Sequence, residues 1–347
     1  MKILFIADMN LGRDPQGGGQ FKSRMLRKVY QEIPNLVYQE IDTTGYKKDM
    51  SILFKLLGNL FFRHFDKIIV STSTKSADLL FQILYVFRSR LLGKIIFNPQ
   101  GMYIQTALLT GIYSINKYKR LEKLYFESNR GVELFKEKGI PAMYYSNAKY
   151  FDLNTRYIEL KNTDDKQLKL VFISRICEDK GLNVLFNALN KIKDEFVDVH
   201  VTVDFYGPIQ SDFEVEFNEN LSENYKYCGY LDMLTDAGNS YVKLSQYDAL
   251  VLPTFWKGEG IAGVFIDAFI AGLPILTTSW GVNEEIVTDG VNGWIVPPKD
   301  VSALSNKIVE IASDITKLNQ MKICAFDTRI KYHISQITET LTKDVQV

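Results

Sequence analysis

Leu252-Pro-Thr-Phe-Trp-Lys-Gly-Glu259-Gly-Ile-Ala-Gly-Val-Phe-Ile-Asp267-Ala-Phe-Ile-Ala-Gly-Leu-Pro274 continues a short apolar run, Ala249 to Leu252, through a glycine-punctuated loop into a helical pattern. An unbroken apolar run of this length suits a strand buried on both faces of a parallel sheet. A helix N-terminus opening at the loop presents free N–H groups and the positive end of its dipole, a natural seat for phosphate. Glu259 and Asp267 stand eight residues apart on either side of that junction. Carboxylates accept hydrogen bonds from hydroxyl-rich rings. The stretch therefore reads as a site for a sugar joined to a phosphate.

Working outward, apolar runs alternate with helical patterns along the whole chain, which predicts parallel sheets with helices on both faces. In the first half the runs are Lys2 to Ala7, Leu36 to Ile41, Lys67 to Ser71, Lys94 to Asn98 and a short one from Ala142 to Ser146. In the second half they are Leu168 to Ile173, Val199 to Tyr206, Tyr225 to Cys228, Ala249 to Leu252, Pro274 to Thr277 and Gly293 to Val296. The polar segment Asn154 to Lys166 suits a linker. A chain of 347 residues is long for one core and suits two domains. The expectation is an N-terminal domain over 1–155 and a C-terminal one over 165–325, with a last helix at 325–347 packing back on the first. Ligands then belong at the carboxyl ends of the strands.

Composition narrows the class. The chain is 46% hydrophobic and 24% charged, a globular balance. Cys177, Cys228 and Cys324 are isolated and odd in number, which favours reduced cytoplasmic thiols over disulfides or a zinc site. The opening Met1-Lys-Ile-Leu-Phe-Ile-Ala-Asp8 reads as a first strand, with no signal peptide expected, and no apolar run approaches the ~20 residues that span a bilayer. Residues 1–150 carry 23 basic and 12 acidic side chains, a balance of +11, and the remainder carries 18 and 29, a balance of −11. The basic half suits an anionic ligand or membrane surface, or else the two halves attract one another.

Four further segments carry chemistry. The run Leu168 to Ile173 enters Ser174-Arg-Ile-Cys-Glu-Asp-Lys-Gly181, and a helical pattern follows with Leu182, Leu185, Phe186 and Leu189 on one face. Arg175 and Lys180 thus bracket a strand-to-helix turn. Arginine offers a phosphate a fork and lysine a point charge, although surface cations in an ordinary loop look the same. Gly17-Gly18-Gly19-Gln20 precedes a helical pattern through Phe21, Met25, Leu26, Val29 and Tyr30, and permits close backbone approach to a substrate or a simple turn. Apolar helical stretches near 52–65 and 79–92 have basic flanks, Lys47, Lys48, Lys55 and Arg63 in one and Arg88, Arg90 and Lys94 in the other. They suit core helices or helices resting on anionic lipid. His64, His200 and His333 fall in no such pattern.

Together these motifs resemble the GT-B glycosyltransferases, in particular the retaining family 4. The resemblance covers most of residues 165–300 and rests on Arg175…Lys180-Gly181, Phe205-Tyr-Gly207, Gly229-Tyr230, Leu252-Pro253-Thr254, Glu259-Gly260, Ala271-Gly-Leu-Pro274 and Asp289-Gly-Val-Asn-Gly293-Trp-Ile-Val-Pro297. One departure is Asp267, where the family's paired acids have glutamate. The resemblance implies an α/β fold of two doubly wound Rossmann-like domains facing each other across a cleft. It implies that Arg175 and Lys180 hold the donor diphosphate, and that Glu259, with the N–H groups of Ile261 and Ala262 beside Gly260, orients sugar and β-phosphate. Asp267 then meets the ribose and the turn at Tyr230 the base, with Gly207 beside them. Gly18 and Gly19 look like the family's first loop. Gln100, in Asn98-Pro-Gln-Gly101, stands where many relatives have histidine or arginine and is expected to position the acceptor.

The activity so implied is retaining, metal-independent transfer from a nucleotide-diphosphate sugar, UDP first among the donors, with no cofactor and no nucleic-acid partner. The implied acceptor is a glycan or lipid-linked glycan of a bacterial surface polysaccharide. The enzyme is expected in the cytoplasm, with peripheral membrane contact through its basic half. The rival readings are a phosphorylase-like sugar-phosphate enzyme and a catalytically silent nucleotide- or glycan-binding subunit.

Overall fold

A computed structural model of the chain describes residues 1–13, 17–162, 167–233 and 236–346. The chain forms two compact units, Met1–Tyr150 with Tyr332–Val347, and Phe151–Lys331.

The first unit is built on a six-stranded sheet: β1 (Lys2–Ala7), β2 (Val37–Asp42), β3 (Lys67–Ser71), β4 (Ile95–Phe97), β5 (Lys123–Phe126) and β6 (Ala142–Tyr144). The strands are parallel, in the order β2-β1-β3-β4-β5-β6. Ile3, Phe5 and Ala7 face a core shared with Leu26, Val29 and Tyr30 of the helix Gly18–Glu32. The alternate residues Leu4 and Ile6 face Leu56 and Leu60 of the helix Met50–Phe62 and Leu80, Phe81 and Leu84 of the helix Thr74–Phe87. Helices on both faces explain why β1 has no polar alternation. The C-terminal segment joins this unit through Lys149 N–H to Tyr332 O and Ile334 N–H to Lys149 O, each 2.9 Å. The helix Ser335–Val345 then buries Ile337, Leu341 and Val345 in the same core as Ile3 and Phe5.

The second unit has β7 (Gln167–Ile173), β8 (His200–Tyr206), β9 (Tyr225–Tyr227), β10 (Ala249–Leu252), β11 (Ile275–Thr278) and β12 (Gly293–Val296). Its parallel order is β12-β11-β10-β7-β8-β9. From β7 the chain winds outward through β8 and β9, then returns to the other side of β7 to add β10, β11 and β12. That reversal opens a crevice at the carboxyl ends of β7 and β10, where ligands bind in doubly wound sheets.

Several sequence expectations shift. The strand Lys123–Phe126 was not anticipated, because its apolar centre is only Leu124-Tyr-Phe126 and charged residues flank it. Glu122 pairs with Lys67 and Lys123 with Asp344, partners that local pattern cannot reveal. The apolar stretch 79–92 is a helix Thr74–Phe87, N-capped by Ser73, followed by a 3₁₀ segment Ser89–Lys94. Gly18 and Gly19 lie in the first turn of a helix, with only Gly17 outside it. In the segment 154–166, residues Thr163 to Lys166 lie outside the described residues.

Candidate active site

The turn after β7 is shaped by close approach. Gly181 has φ +82°, and a Cβ there would lie 2.0 Å from Pro253 O at the end of β10. Gly207, after β8, has φ +132°, and a Cβ there would lie 1.9 Å from Ser174 O. Glycine is the residue that tolerates both the backbone angle and the contact. The loops after β7, β8 and β10 are thereby pressed together. The N–H of Phe255 donates to Asp179 O at 3.0 Å and closes the same seam.

Lys180 and Glu259 meet in this crevice. Lys180 Nζ lies 2.5 Å from Glu259 Oε2, and each side chain is 6% exposed. Thr254 Oγ1, fully buried, sits 2.7 Å from the same carboxylate oxygen. The indole of Trp256 contacts two cations: Arg175 Cζ is 4.9 Å and Lys180 Nζ 4.7 Å from its ring centroid. Cations are drawn to the negative face of an aromatic ring, so Trp256 gathers two like charges that would otherwise separate. Trp256 is held in turn by Trp280 Nε1, which donates to its carbonyl at 2.7 Å.

Gly260, Ile261 and Ala262 lead into the helix Gly263–Ile270, whose first turn has no side-chain cap. Its early N–H groups therefore present a site for an anion. One turn further in, Asp267 is 4% exposed and accepts a hydrogen bond from Tyr241 Oη at 3.0 Å. Burial, and then the charge of Asp267, hold the Tyr241 phenol well above its ordinary pKa. Tyr230 follows β9 and is 69% exposed. Its loop is tied to the β8 loop by Gly207 N–H to Gly229 O at 2.8 Å.

Arg175, Lys180 and Glu259 are thus gathered into one cluster, with Gly207 packed against its back. Tyr230 flanks it on the β9 side, and Asp267 lies deeper in the helix. Gly18, Gly19 and Gln100 belong to the first unit. There a Cβ on Gly19 would meet the Gln100 side chain at 2.9 Å. Gln100 Nε2 reaches Ser23 Oγ at 2.8 Å and Asp8 O at 3.1 Å, so that amide group is turned inward at the carboxyl ends of β1 and β4. Nearby Lys22 forms a buried 2.6 Å pair with Glu127 and reaches Pro99 O at 3.3 Å, fixing the strand end that carries Gln100. Sequence reasoning assigned no role to Trp256, Thr254, Tyr241 or the Lys22–Glu127 pair. Thr254 and Trp256 stand within the stretch 252–274, whereas no local pattern marks Tyr241 or the Lys22–Glu127 pair.

The family described as Glycosyl transferases group 1 matches residues 167–314. WcaL of Salmonella typhimurium (strain LT2), named as a colanic acid biosynthesis glycosyltransferase, is 27% identical over 151 residues, 42% of this chain and 36% of that protein. The amylovoran biosynthesis glycosyltransferase AmsK of Erwinia amylovora is 22% identical over 196 residues, 54% of this chain and 47% of that protein. The matches thus span less than half the length of these curated relatives. Among solved structures, Anabaena HepE in complex with UDP-glucose superposes with a TM-score of 0.71 at 17% identity, covering 99% of this chain and 98% of that one. The sucrose-phosphate synthase of Thermosynechococcus elongatus gives 0.73 at 13% identity, covering 99% and 97%. Residues 167–314, a little under half of the chain, match the glycosyl transferases group 1 family, and the fold of the chain is GT-B.

Proposed function

We propose that this protein transfers a sugar from a nucleoside-diphosphate sugar to a glycan or lipid-linked glycan acceptor, with retention and without a metal ion. The observation that carries the reading is the buried Lys180–Glu259 pair beside Arg175, at the crevice of the second sheet and next to an uncapped helix N-terminus. Breaking a sugar–phosphate bond places negative charge on the departing diphosphate. Arg175, Lys180 and the N–H groups of Ile261 and Ala262 stabilise that charge as it develops, the electrostatic share of such chemistry. Two side-chain cations and a helix dipole do there what a divalent ion does elsewhere. Glu259 holds Lys180 in place and orients the donor sugar, Asp267 accepts from the ribose, and Tyr230 stacks on the base. Gln100 is the positioning group on the acceptor side.

UDP as the nucleotide is supported by HepE, solved with UDP-glucose. Polysaccharide synthesis is supported by the colanic acid and amylovoran names of the two relatives. The +11 balance of residues 1–150 supports peripheral association with the cytoplasmic face of a membrane.

The test is a panel of UDP-sugars read by donor hydrolysis and by transfer to lipid-linked acceptors, with and without EDTA. Turnover should survive EDTA and fall about 10²–10³-fold in Arg175→Ala, the usual loss for one preorganised stabilising group. Turnover abolished by EDTA and restored by Mn²⁺, or untouched by Arg175→Ala, overturns the assignment.

A further inference from the structure

The helix Met50–Phe62 is apolar at nine of its thirteen positions and carries one charge, Lys55. A helix apolar nearly all round belongs inside a core, yet only Leu56, Asn59 and Leu60 are buried. At about 100° per residue, Met50, Phe54 and Leu57 form a second stripe outside the buried one, while Phe61 packs against the core. Phe54 is 71% exposed, and Phe62 at the helix end is 90% exposed. On the adjacent helix Thr74–Phe87, Leu79, Ile83 and Val86 form a matching stripe, with Leu79 54% and Val86 63% exposed. Between the helices runs a shallow, open apolar groove walled by Leu53, Leu57, Leu79 and Ile83 and reaching Ile6 and Thr72 at the ends of β1 and β3. Arg88 ties the two helices: its guanidinium donates to Phe61 O at 2.7 Å and lies 5.6 Å from the Phe61 ring centroid.

Around this apolar centre stand exposed cations: Lys47, Lys48, Lys55 and Arg63 beside the first helix, Lys75, Arg88 and Arg90 beside the second. The nearby acids are engaged, Asp49 capping the first helix through Ser51 N–H and Asp78 paired with Lys117.

We propose that this two-helix face docks on an anionic lipid bilayer, with Phe54, Phe62, Leu79 and Val86 entering the acyl boundary and the ring of cations meeting the headgroups. An apolar centre within a basic ring matches a bilayer surface, where hydrocarbon lies beneath anionic headgroups. A second copy of the chain is a poor occupant, since its own basic ring would face this one. The proposal deepens the lipid-linked-acceptor reading by naming the surface that brings the protein to such acceptors.

The experiment is cosedimentation of the full chain with vesicles of phosphatidylcholine and graded phosphatidylglycerol. UDP binding is measured in parallel, so that failure of the donor reading is seen separately. Partition should rise with phosphatidylglycerol and fall with salt. Phe54→Ser with Val86→Ser should lower it at least tenfold, and Lys47, Lys48, Lys55 and Arg63 changed to Gln should lower it about fivefold per cation. UDP affinity should stay unchanged in both. As a check on insertion, the emission added by Phe54→Trp should be quenched by brominated acyl chains. Partition indifferent to phosphatidylglycerol, partition unchanged by the serine pair, or a dimer that the serine pair dissociates overturns the proposal.

Discussion

Replacing Glu259 by alanine should destabilise the second unit severely, and the structure says by how much. The carboxylate is 2.5 Å from Lys180 Nζ with both side chains 6% exposed. Its removal leaves the ammonium buried against Trp256 with no counter-charge. Removing one partner of a buried pair costs ~3–5 kcal/mol, and Thr254 Oγ1, 2.7 Å from the same oxygen, loses a partner worth ~1 kcal/mol. Against a typical total of ~5–15 kcal/mol, that is a large fraction. Lys180→Met with Glu259→Leu removes both charges and should cost less than Glu259→Ala alone.

Tryptophan emission is the right probe, because all three tryptophans, Trp256, Trp280 and Trp294, lie in the second unit. Urea unfolding followed by emission therefore reports that unit alone. UDP sharpens the test. At 100 times its dissociation constant a ligand stabilises by ~2.7 kcal/mol, and a diphosphate gives the stranded Lys180 a new anion. Glu259→Ala should keep that gain at matched saturation, whereas Lys180→Met should bind UDP more weakly and need more to reach it. A Glu259→Ala protein within ~1 kcal/mol of wild type would show Lys180 swinging freely to water, and the account of the cluster would be wrong.

Trp256→Leu should weaken UDP binding through loss of two cation–π contacts of ~0.5–2 kcal/mol each, with Trp256→Phe intermediate; equal affinities by calorimetry would deny the indole its gathering role. Asp267→Asn should weaken UDP affinity about tenfold or more, since hydrogen bonds to a charged group are worth ~1.5–3 kcal/mol, and an unchanged affinity would remove the ribose assignment. Lys322, donating to Tyr247 O at 2.6 Å, is lowered by burial from 10.5 to about 8. The unfolded chain therefore binds more protons between those values, so stability should rise from pH 8 towards 10.5. The full span is roughly 3 kcal/mol at 1.36 kcal/mol per pH unit. Lys322→Met should flatten that rise in pH-dependent unfolding, and a slope it leaves unaltered would refute the attribution.

Much of the site was legible because its determinants are local. Gly181, Pro253 and the run Ala249 to Leu252 mark where strands end, and in a parallel sheet strand ends are where side chains converge. Arg175, Lys180 and Glu259 could therefore be grouped from spacing and resemblance, though the contact of both cations with one indole could not. What failed to show was set by partners distant in sequence. The charges flanking the strand Lys123–Phe126 are neutralised by Lys67 and Asp344, and those flanks hid a strand that is buried at three of its four positions. The helix Met50–Phe62 presents the converse case. Its sequence carries more apolar surface than one contact can cover, and sequence alone does not say which stripe the sheet takes. The sheet takes Leu56 and Leu60 and leaves Phe54 and Phe62 in solvent. Apolar excess in one helix, flanked by cations that no carboxylate engages among the described residues, exceeds what folding requires. The proposed bilayer contact would give such a surface a use that the fold itself does not.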